Sequence, residues 1–145
     1  MLYQTATTSF KVQLAQGLHN FGPTSPNTFY IALFTAASTI NAATPTYNTS
    51  LVGEVVGTGY TQGGQQLTIT TTPTSGISGT TAYWSFANVV WSPAAFTARG
   101  AMIYNASQSN ASVCILDFGA DKTCTNSFTI QFPTAVASSA ILRIA

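Results

Sequence analysis

From residue 28 onward the chain is a succession of short apolar or alternating segments separated by turn residues. Residues 28–35 (TFYIALFT) are apolar at most positions, whereas residues 66–72 alternate Thr or Gln with Leu67 and Ile69. We count about eight such segments, at intervals of about 8 to 15 residues, a pattern typical of antiparallel all-β proteins. We therefore predict an all-β fold, an antiparallel β-sandwich of jelly-roll type with one short N-terminal helix; the alternative is a barrel. The further strands are expected at 80–90, 96–105, 112–118, 128–132 and, at a sheet edge, 140–145, and loops at 36–50, 73–79 and 119–126.

Residues 8–20 (TSFKVQLAQGLHN) are the one segment with helical periodicity. Thr8 or Ser9 can cap its first turn, and Gly22-Pro23 supplies a stop. His19 would lie in the last turn, where the helix dipole favours a cation. We predict a single β-sandwich domain over residues 1–145, with a possible N-terminal arm at 1–7 and a helix at 8–20 whose apolar side chains recur every three or four positions: Phe10, Leu14, Leu18 and Phe21.

Charged residues are scarce. The 145 residues include four Lys and Arg and three Asp and Glu, so that 5% are charged while 46% are apolar; an ordinary soluble domain is about a quarter charged. A net charge of +1 leaves no electrostatic footprint for nucleic acid and no polybasic segment for a membrane surface, so we expect neither partner. Weak self-repulsion favours a multimeric or surface-bound state.

The sequence carries no recognisable export or membrane-spanning signal. No apolar run approaches the length of about 18 residues that spans a bilayer. The N-terminus (MLYQTATTSFK) lacks a basic head followed by an apolar core. We therefore expect synthesis in a cytoplasm, where a Cys114–Cys124 bridge is possible but not required.

The residue types that support catalysis or metal binding are few and scattered. A Ser or Cys nucleophile needs a nearby His, and the single His19 has no motif around it. A calcium site at Asp117 and Asp121, or a carboxylate pair of Glu54 and Asp117, lacks the neighbours that such sites need. We predict that the protein is not an enzyme and has no catalytic residue, no metal site and no cofactor.

Residues 51–67 (LVGEVVGTGYTQGGQQL) combine five glycines with Glu54, the only acid in the first 116 residues. The glycines interrupt a would-be strand, which favours a bulged strand and turn; a ligand-binding loop is the alternative. The segment lacks the Lys-Ser/Thr ending of a phosphate loop and the spacing of a dinucleotide fingerprint.

Residues 96–105 (FTARGAMIYN) place a cation inside an otherwise apolar strand. Because an unpaired buried guanidinium would cost several kcal/mol, Arg99 has to be paired within the fold or to face a partner. We predict a structural ion pair of Arg99 with Glu54 or with Asp117, with Tyr and Thr hydroxyls satisfying the remaining hydrogen bonds. A subunit contact is the alternative.

Four segments in this order resemble a small family of structural proteins of tailed bacteriophages and prophages. They are GEVVGTGYTQGG (53–64), WSFANVVW (84–91), FTARGAMIYN (96–105) and ILDFGADKT (115–123). The resemblance covers about residues 50–133, and it depends most on TARGA-x-IYN followed by LDFG. It brings no catalytic residues with it.

The resemblance implies a capsid decoration or cement protein, which binds the outer surface of the head and bridges neighbouring capsid subunits. The implied partners are the major capsid protein of the same phage and further copies of this chain, as a dimer or a trimer. The implied location is the capsid exterior of the virion, after synthesis in the host cytoplasm. The candidate interface residues are Leu2 and Tyr3 in the arm, Tyr47 in the loop at 36–50, and Tyr60.

The alternative function is a tail or head fibre or adaptor module that recognises a host glycan. Aromatic side chains stack on sugars, and the candidates are Tyr60, Tyr83, Trp84 and Trp91. The strand context of Trp84 and Trp91 favours the protein core instead.

Overall fold

The computed structural model describes residues 1–76 and 79–145, and this part of the chain is mostly β with one α-helix. In chain order the elements are β1 (Thr5–Ala6), α1 (Thr8–Ala15), β2 (Phe29–Phe34), β3 (Gln65–Gln66), β4 (Ile69–Ser75), β5 (Ala82–Phe86), β6 (Val89–Trp91), β7 (Phe96–Asn105), a 3-10 turn (Ala106–Gln108), β8 (Ala111–Cys124), β9 (Phe128–Ile130) and β10 (Leu142–Ile144).

The largest sheet has five strands in the order β1-β8-β7-β2-β3, and every neighbouring pair is antiparallel. Phe29, Ile31 and Leu33 of β2 belong to one buried core, whereas Ala32 and Phe34 belong to another. A strand that is apolar on both faces is stable only where both faces are covered. The apolar run at 28–35 thus forms a strand that is buried on both faces.

The first core lies between the large sheet and two smaller antiparallel sheets, β10-β5-β4 and β6-β9. Aromatic rings join the sheets: the ring centroids of Phe29 and Phe86 are 5.9 Å apart, and those of Trp91 and Phe96 are 6.4 Å apart. β10 is an edge strand of its sheet, as the sequence predicts. The structure thus confirms the prediction of a mostly β fold with antiparallel sheets and one short helix.

The second core covers the opposite face of the large sheet. There Phe34 and Met102 pack against Leu2, Ile40 and Tyr47, all buried. The prediction of a surface loop at 36–50 is wrong at Ile40 and Tyr47, because these side chains shield the second apolar face of β2 and β7 from water. Leu2 anchors the N-terminal arm in the same way.

The helix is shorter than the predicted 8–20, since α1 ends at Ala15. Gly17 follows with a φ of +74°, a left-handed conformation that glycine adopts readily. The Leu18 N–H then donates to the Gln13 carbonyl. The helix stop lies at this glycine and not at Gly22-Pro23, and the cap is Thr7, whose hydroxyl accepts from the Phe10 N–H.

His19 lies beyond the helix, buried beside Phe10, and not in a helical last turn. The Ser107 N–H donates to Asn105 Oδ1, which leaves Asn105 Nδ2 to donate to His19 Nδ1. His19 Nε2 is then the donor to Gln13 Oε1. Burial lowers the imidazole pKa, and the predicted place of His19 in the last turn of the helix is wrong because the helix ends at Ala15.

Other element bounds also differ from prediction. β8 continues to Cys124 through most of the predicted loop at 119–126, and β4 extends through Ser75 into the predicted loop at 73–79. Residues 77 and 78 of that loop lie outside the described residues. The predicted strand at 80–90 is two strands, β5 and β6, which belong to different sheets.

Cys114 and Cys124 are both buried free thiols. Burial raises the pKa of the Cys114 thiol to about 12. Within the part of the chain that the structure describes, no helix has the length and apolar character needed to cross a membrane.

Candidate functional site

The structure pairs Arg99 with Asp117 and places Glu54 elsewhere. The Nε of Arg99 lies 2.9 Å from the Oδ1 of Asp117, and it is the only ion pair of residues 1–76 and 79–145. Of the two pairings that the sequence predicts for Arg99, the structure therefore has the one with Asp117. Glu54 does not join that pair, because tyrosine hydroxyls and a backbone N–H occupy its carboxylate.

The Arg99–Asp117 pair lies at an interruption of the β7–β8 ladder. Ala98 is opposite Lys122 and Gly100 is opposite Asp117, so residues 118–121 of β8 have only Arg99 facing them. Asp117 Oδ1 also accepts from the Gly119 N–H at 2.9 Å. The hydrogen bond from Arg99, and to a smaller extent the one from the Gly119 N–H, hold the pKa of the Asp117 carboxyl below its usual range. The ion pair thus connects β7 and β8 at a β-bulge.

Glu54 accepts three hydrogen bonds from uncharged donors. The Tyr47 hydroxyl donates to Oε2 at 2.9 Å, the Tyr60 hydroxyl to Oε1 at 2.9 Å, and the Gly63 N–H to Oε1 at 2.7 Å. Hydrogen bonds to a charged acceptor are about twice as strong as those between neutral groups. The carboxylate is therefore held without any cation. We call residues 51–64 the Glu54 loop.

The backbone of the Glu54 loop is attached to the outer edge of β2. The Thr35 N–H donates to the Gly53 carbonyl at 2.7 Å, and the Val55 N–H donates to the Leu33 carbonyl at 2.9 Å. Further along, Gly64 has a φ of +77°, and a side chain there would collide with the Ile31 carbonyl. The glycine-rich composition thus allows the loop to follow the strand closely.

Tyr60 links the loop to the sheet and to the first core. Its hydroxyl accepts from the Leu33 N–H at 2.9 Å while it donates to Glu54. Its ring lies 5.8 Å from that of Phe96. Burial, followed by the negative charge of Glu54, raises the pKa of Tyr60. The phenol therefore remains a neutral donor.

Tyr47 and Tyr104 are the two further tyrosines that influence the Glu54 carboxylate. Their rings are stacked with centroids 4.4 Å apart, and the Tyr104 hydroxyl donates to the Gly63 carbonyl at 2.8 Å. Burial and the charge of Glu54 raise the pKa of Tyr104 to about 12, and the same causes raise the pKa of Tyr47. We call Glu54, Tyr47, Tyr60, Gly63 and Tyr104 the tyrosine cage.

The four predicted interface residues fall into two groups. Tyr3 is 65% exposed, so its place in an interface stays a prediction. Leu2 is only 2% exposed because it fills the second core, and Tyr47 and Tyr60 are engaged in the tyrosine cage. Leu2 and Tyr47 are therefore buried in the folded chain and their assignment to an exposed interface is wrong, whereas Tyr60 is half-buried.

The Glu54 loop also presents an apolar surface to the solvent. Val56 is 94% exposed and Val52 is 58% exposed. Both flank Glu54, and an open cavity of about 370 Å³ lies among Leu51, Gly53, Val56 and Gln62 of the same loop. The tyrosine cage thus fixes a loop that displays two valines.

The three hydrogen bonds of the Glu54 carboxylate come from protein groups and hold it as an acceptor within the fold. No cluster of three or more side chains able to hold a metal ion occurs in the ranges 1–76 and 79–145. The sequence contained a usable signal for the cage: one acid in an uncharged segment, with Tyr47 and Tyr60 seven residues before it and six after it.

Comparison of the chain with protein-family models, with curated proteins and with solved structures gives no match.

Proposed function

We propose that this chain is a structural protein of a tailed-bacteriophage virion, a capsid decoration or cement protein. It binds the outer surface of the head and bridges neighbouring capsid subunits, after synthesis in the host cytoplasm. Its partners are the major capsid protein and further copies of itself, as a dimer or a trimer. The contacts are apolar and hydrogen-bonded, with little contribution from salt bridges.

The observation that carries this proposal is the valine-bearing Glu54 loop on a nearly uncharged protein. An exposed valine by itself is ordinary. Here Val52 and Val56 lie on either side of Glu54, which the tyrosine cage holds by hydrogen bonds. A pre-ordered apolar surface loses little conformational entropy when it binds. Such a surface suits a passive contact repeated many times on a symmetric shell.

The sequence resemblance supports the same function. The motifs TARGA-x-IYN and LDFG lie in β7 and at the ladder interruption of β8, so the resemblance rests on the central hairpin of the large sheet. We further propose that the three sheets together form a β-sandwich of jelly-roll type. The first core, which joins the large sheet to both smaller ones, supports that arrangement.

Glycan recognition has less support. Trp84 and Trp91 are buried in the first core, and the Tyr60 hydroxyl is engaged with Glu54 and Leu33. Stacking on a sugar requires an open aromatic face. The fibre or adaptor function therefore remains the alternative that the experiment below distinguishes.

The location of the protein in the particle tests the proposal most directly. A low-resolution cryo-electron microscopy map of the phage, with the protein labelled by an antibody fragment, should show it over the whole shell. A few copies at a vertex or on the tail would favour a fibre or adaptor. Absence from purified particles would overturn the virion assignment.

A binding measurement tests the contact surface. Purified protein is added to particles that lack it, at salt concentrations from about 0.05 to about 0.5 M. Wild-type occupancy should change little with salt. Val56→Asp should bind at least about tenfold more weakly, because it places a charge in an apolar contact. Val12→Asp, at a valine of α1 that is 53% exposed, is the matched control. A steep loss of binding with salt, or equal binding by both variants, would contradict the proposed contact.

A further inference from the structure

A groove lies between the edges of two different sheets, away from the Glu54 loop. Its volume is about 350 Å³, in the range of small-molecule sites. β1, an edge strand of the large sheet, lines one side, and β10, an edge strand of a smaller sheet, lines the other. The helix α1 contributes Phe10, Lys11 and Leu14 to its wall.

Apolar side chains form one part of this groove, beside the polar Gln4 and Thr5. Phe10, Trp84, Leu116 and Leu142 line it and are buried, and the half-buried Leu14 lies beside them. Removing apolar surface from water contributes about 25 cal/mol per Å². An alkyl chain laid along these side chains would gain from that effect.

The rim of the groove is cationic. Lys11 and Arg143, two of the four Lys and Arg residues, both line it and both are exposed. The Arg143 guanidinium donates to the carbonyls of Ala137 and Ser138, which fix its position without neutralising it. No Asp or Glu belongs to the described lining of the groove. In a chain with so few charges, two unneutralised cations at one apolar groove complement an anionic ligand.

We propose that this groove binds a free anionic amphiphile, a medium-chain alkyl carboxylate. Its chain lies against Phe10, Leu116 and Leu142, and its carboxylate faces Lys11 and Arg143. A membrane surface is a poorer match, because binding to anionic lipid uses clusters of about four to eight basic residues. This site is independent of the proposed capsid contact.

The probe is decanoate, compared with decanol and decylamine below their aggregation concentrations. The readout is the two-dimensional NMR spectrum of ¹⁵N-labelled full-length protein, in which the two tryptophans give two indole signals. Trp84 lines the groove and Trp91 does not. Decanoate should shift the Trp84 indole signal, assigned with Trp84→Phe, and leave the Trp91 signal in place. Decanoate should bind about tenfold more tightly than decanol, because two cations attract its carboxylate.

Surface variants separate the charge contribution from the apolar one. Lys11→Gln with Arg143→Gln should reduce decanoate affinity to that of decanol. Arg143→Lys should keep most of it, and Lys122→Gln, a cation that does not line the groove, should keep all of it. Equal binding of decanoate and decanol, tighter binding of decylamine, or no shift of the Trp84 signal would each overturn the proposal. Co-sedimentation with phosphatidylglycerol vesicles without decanoate binding would also overturn it, in favour of a lipid surface.

Discussion

Glu54 and Asp117 are both half-buried carboxylates, but they are satisfied in opposite ways. Asp117 accepts from a cation and a backbone N–H of its own hairpin. Glu54 accepts from two phenols and a backbone N–H, and through Tyr60 it connects to β2. Neutral donors stabilise a carboxylate without the desolvation of a second charge. The hydrogen bonds of the cage join residues 47, 54, 60 and 63 to one another and to β2. The ion pair joins only the two strands of one hairpin.

The largest difference between the two sites should appear when each acid is removed. Glu54→Ala leaves two tyrosine hydroxyls and the Gly63 N–H without their acceptor, so we expect the free energy of unfolding to fall by about 4 kcal/mol. Urea denaturation measures this quantity. Asp121→Ala, at an exposed acid, is the control and should resemble wild type. Equal stability of the two variants would show that the cage contributes nothing.

A single hydroxyl of the cage should have an intermediate effect. Tyr60→Phe keeps the ring but removes the acceptor of the Leu33 N–H and one donor to Glu54. We expect the free energy of unfolding to fall by about 2 kcal/mol in the same denaturation experiment. Tyr3→Phe removes an exposed hydroxyl and should change stability by less than about 0.5 kcal/mol. If the two variants were equally stable, Tyr60 would be only a packing residue.

Alkaline pH should weaken the cage and leave the ion pair intact. The pKa of Tyr104 is raised from 10.0 to about 12 in the folded protein. Above pH 10 the unfolded chain loses this proton first, so the stability is complete below pH 10 and is lost as the pH rises toward 12. Unfolding measured from about pH 9 to about pH 11 should show this decline. The free energy of unfolding of Tyr104→Phe should decline less steeply with pH. A slope identical to that of wild type would contradict the role of Tyr104.

The smallest effect is expected at the ion pair. Arg99→Gln removes the cation but leaves the Gly119 N–H bonded to Asp117. Ion pairs that remain accessible to water contribute little and are screened by salt. The melting temperature of the variant should lie slightly below that of wild type at low salt and equal it at about 0.5 M NaCl. If Arg99→Gln lowered stability as much as Glu54→Ala, the ion pair would contribute as much to stability as the tyrosine cage.

The sequence predicts local structure best where the side chains report burial. The bounds of β7 agree with the predicted 96–105, and β2 lies within 28–35. β8 beyond Phe118 was not predictable in this way. Residues 119–123 (GADKT) are exposed and show no apolar alternation, while Lys122 and Thr123 pair with β7 through backbone groups that every residue has.

The candidate site was only partly predictable. The pairing of Arg99 with one of two acids follows from the cost of an unpaired cation, but the choice of Asp117 depends on the register of β7 and β8. Leu2 and Tyr47 looked like contact residues, because sequence does not show that the large sheet has a second apolar face to be covered. The groove between β1 and β10 joins residues from opposite ends of the chain.

The attachment of residues 53–67 to β2 also covers a strand edge that could otherwise pair with another copy of the chain. FYIALF is uncharged, free of Pro and Gly, and rich in β-forming residues, a composition that promotes cross-β aggregation when its edge is open. Here β7 occupies one edge, while the Glu54 loop, the Tyr60 hydroxyl and β3 occupy the other. Opening the cage would expose the backbone groups of this strand. We therefore expect the single acid of the first 116 residues to limit amyloid-like pairing between copies.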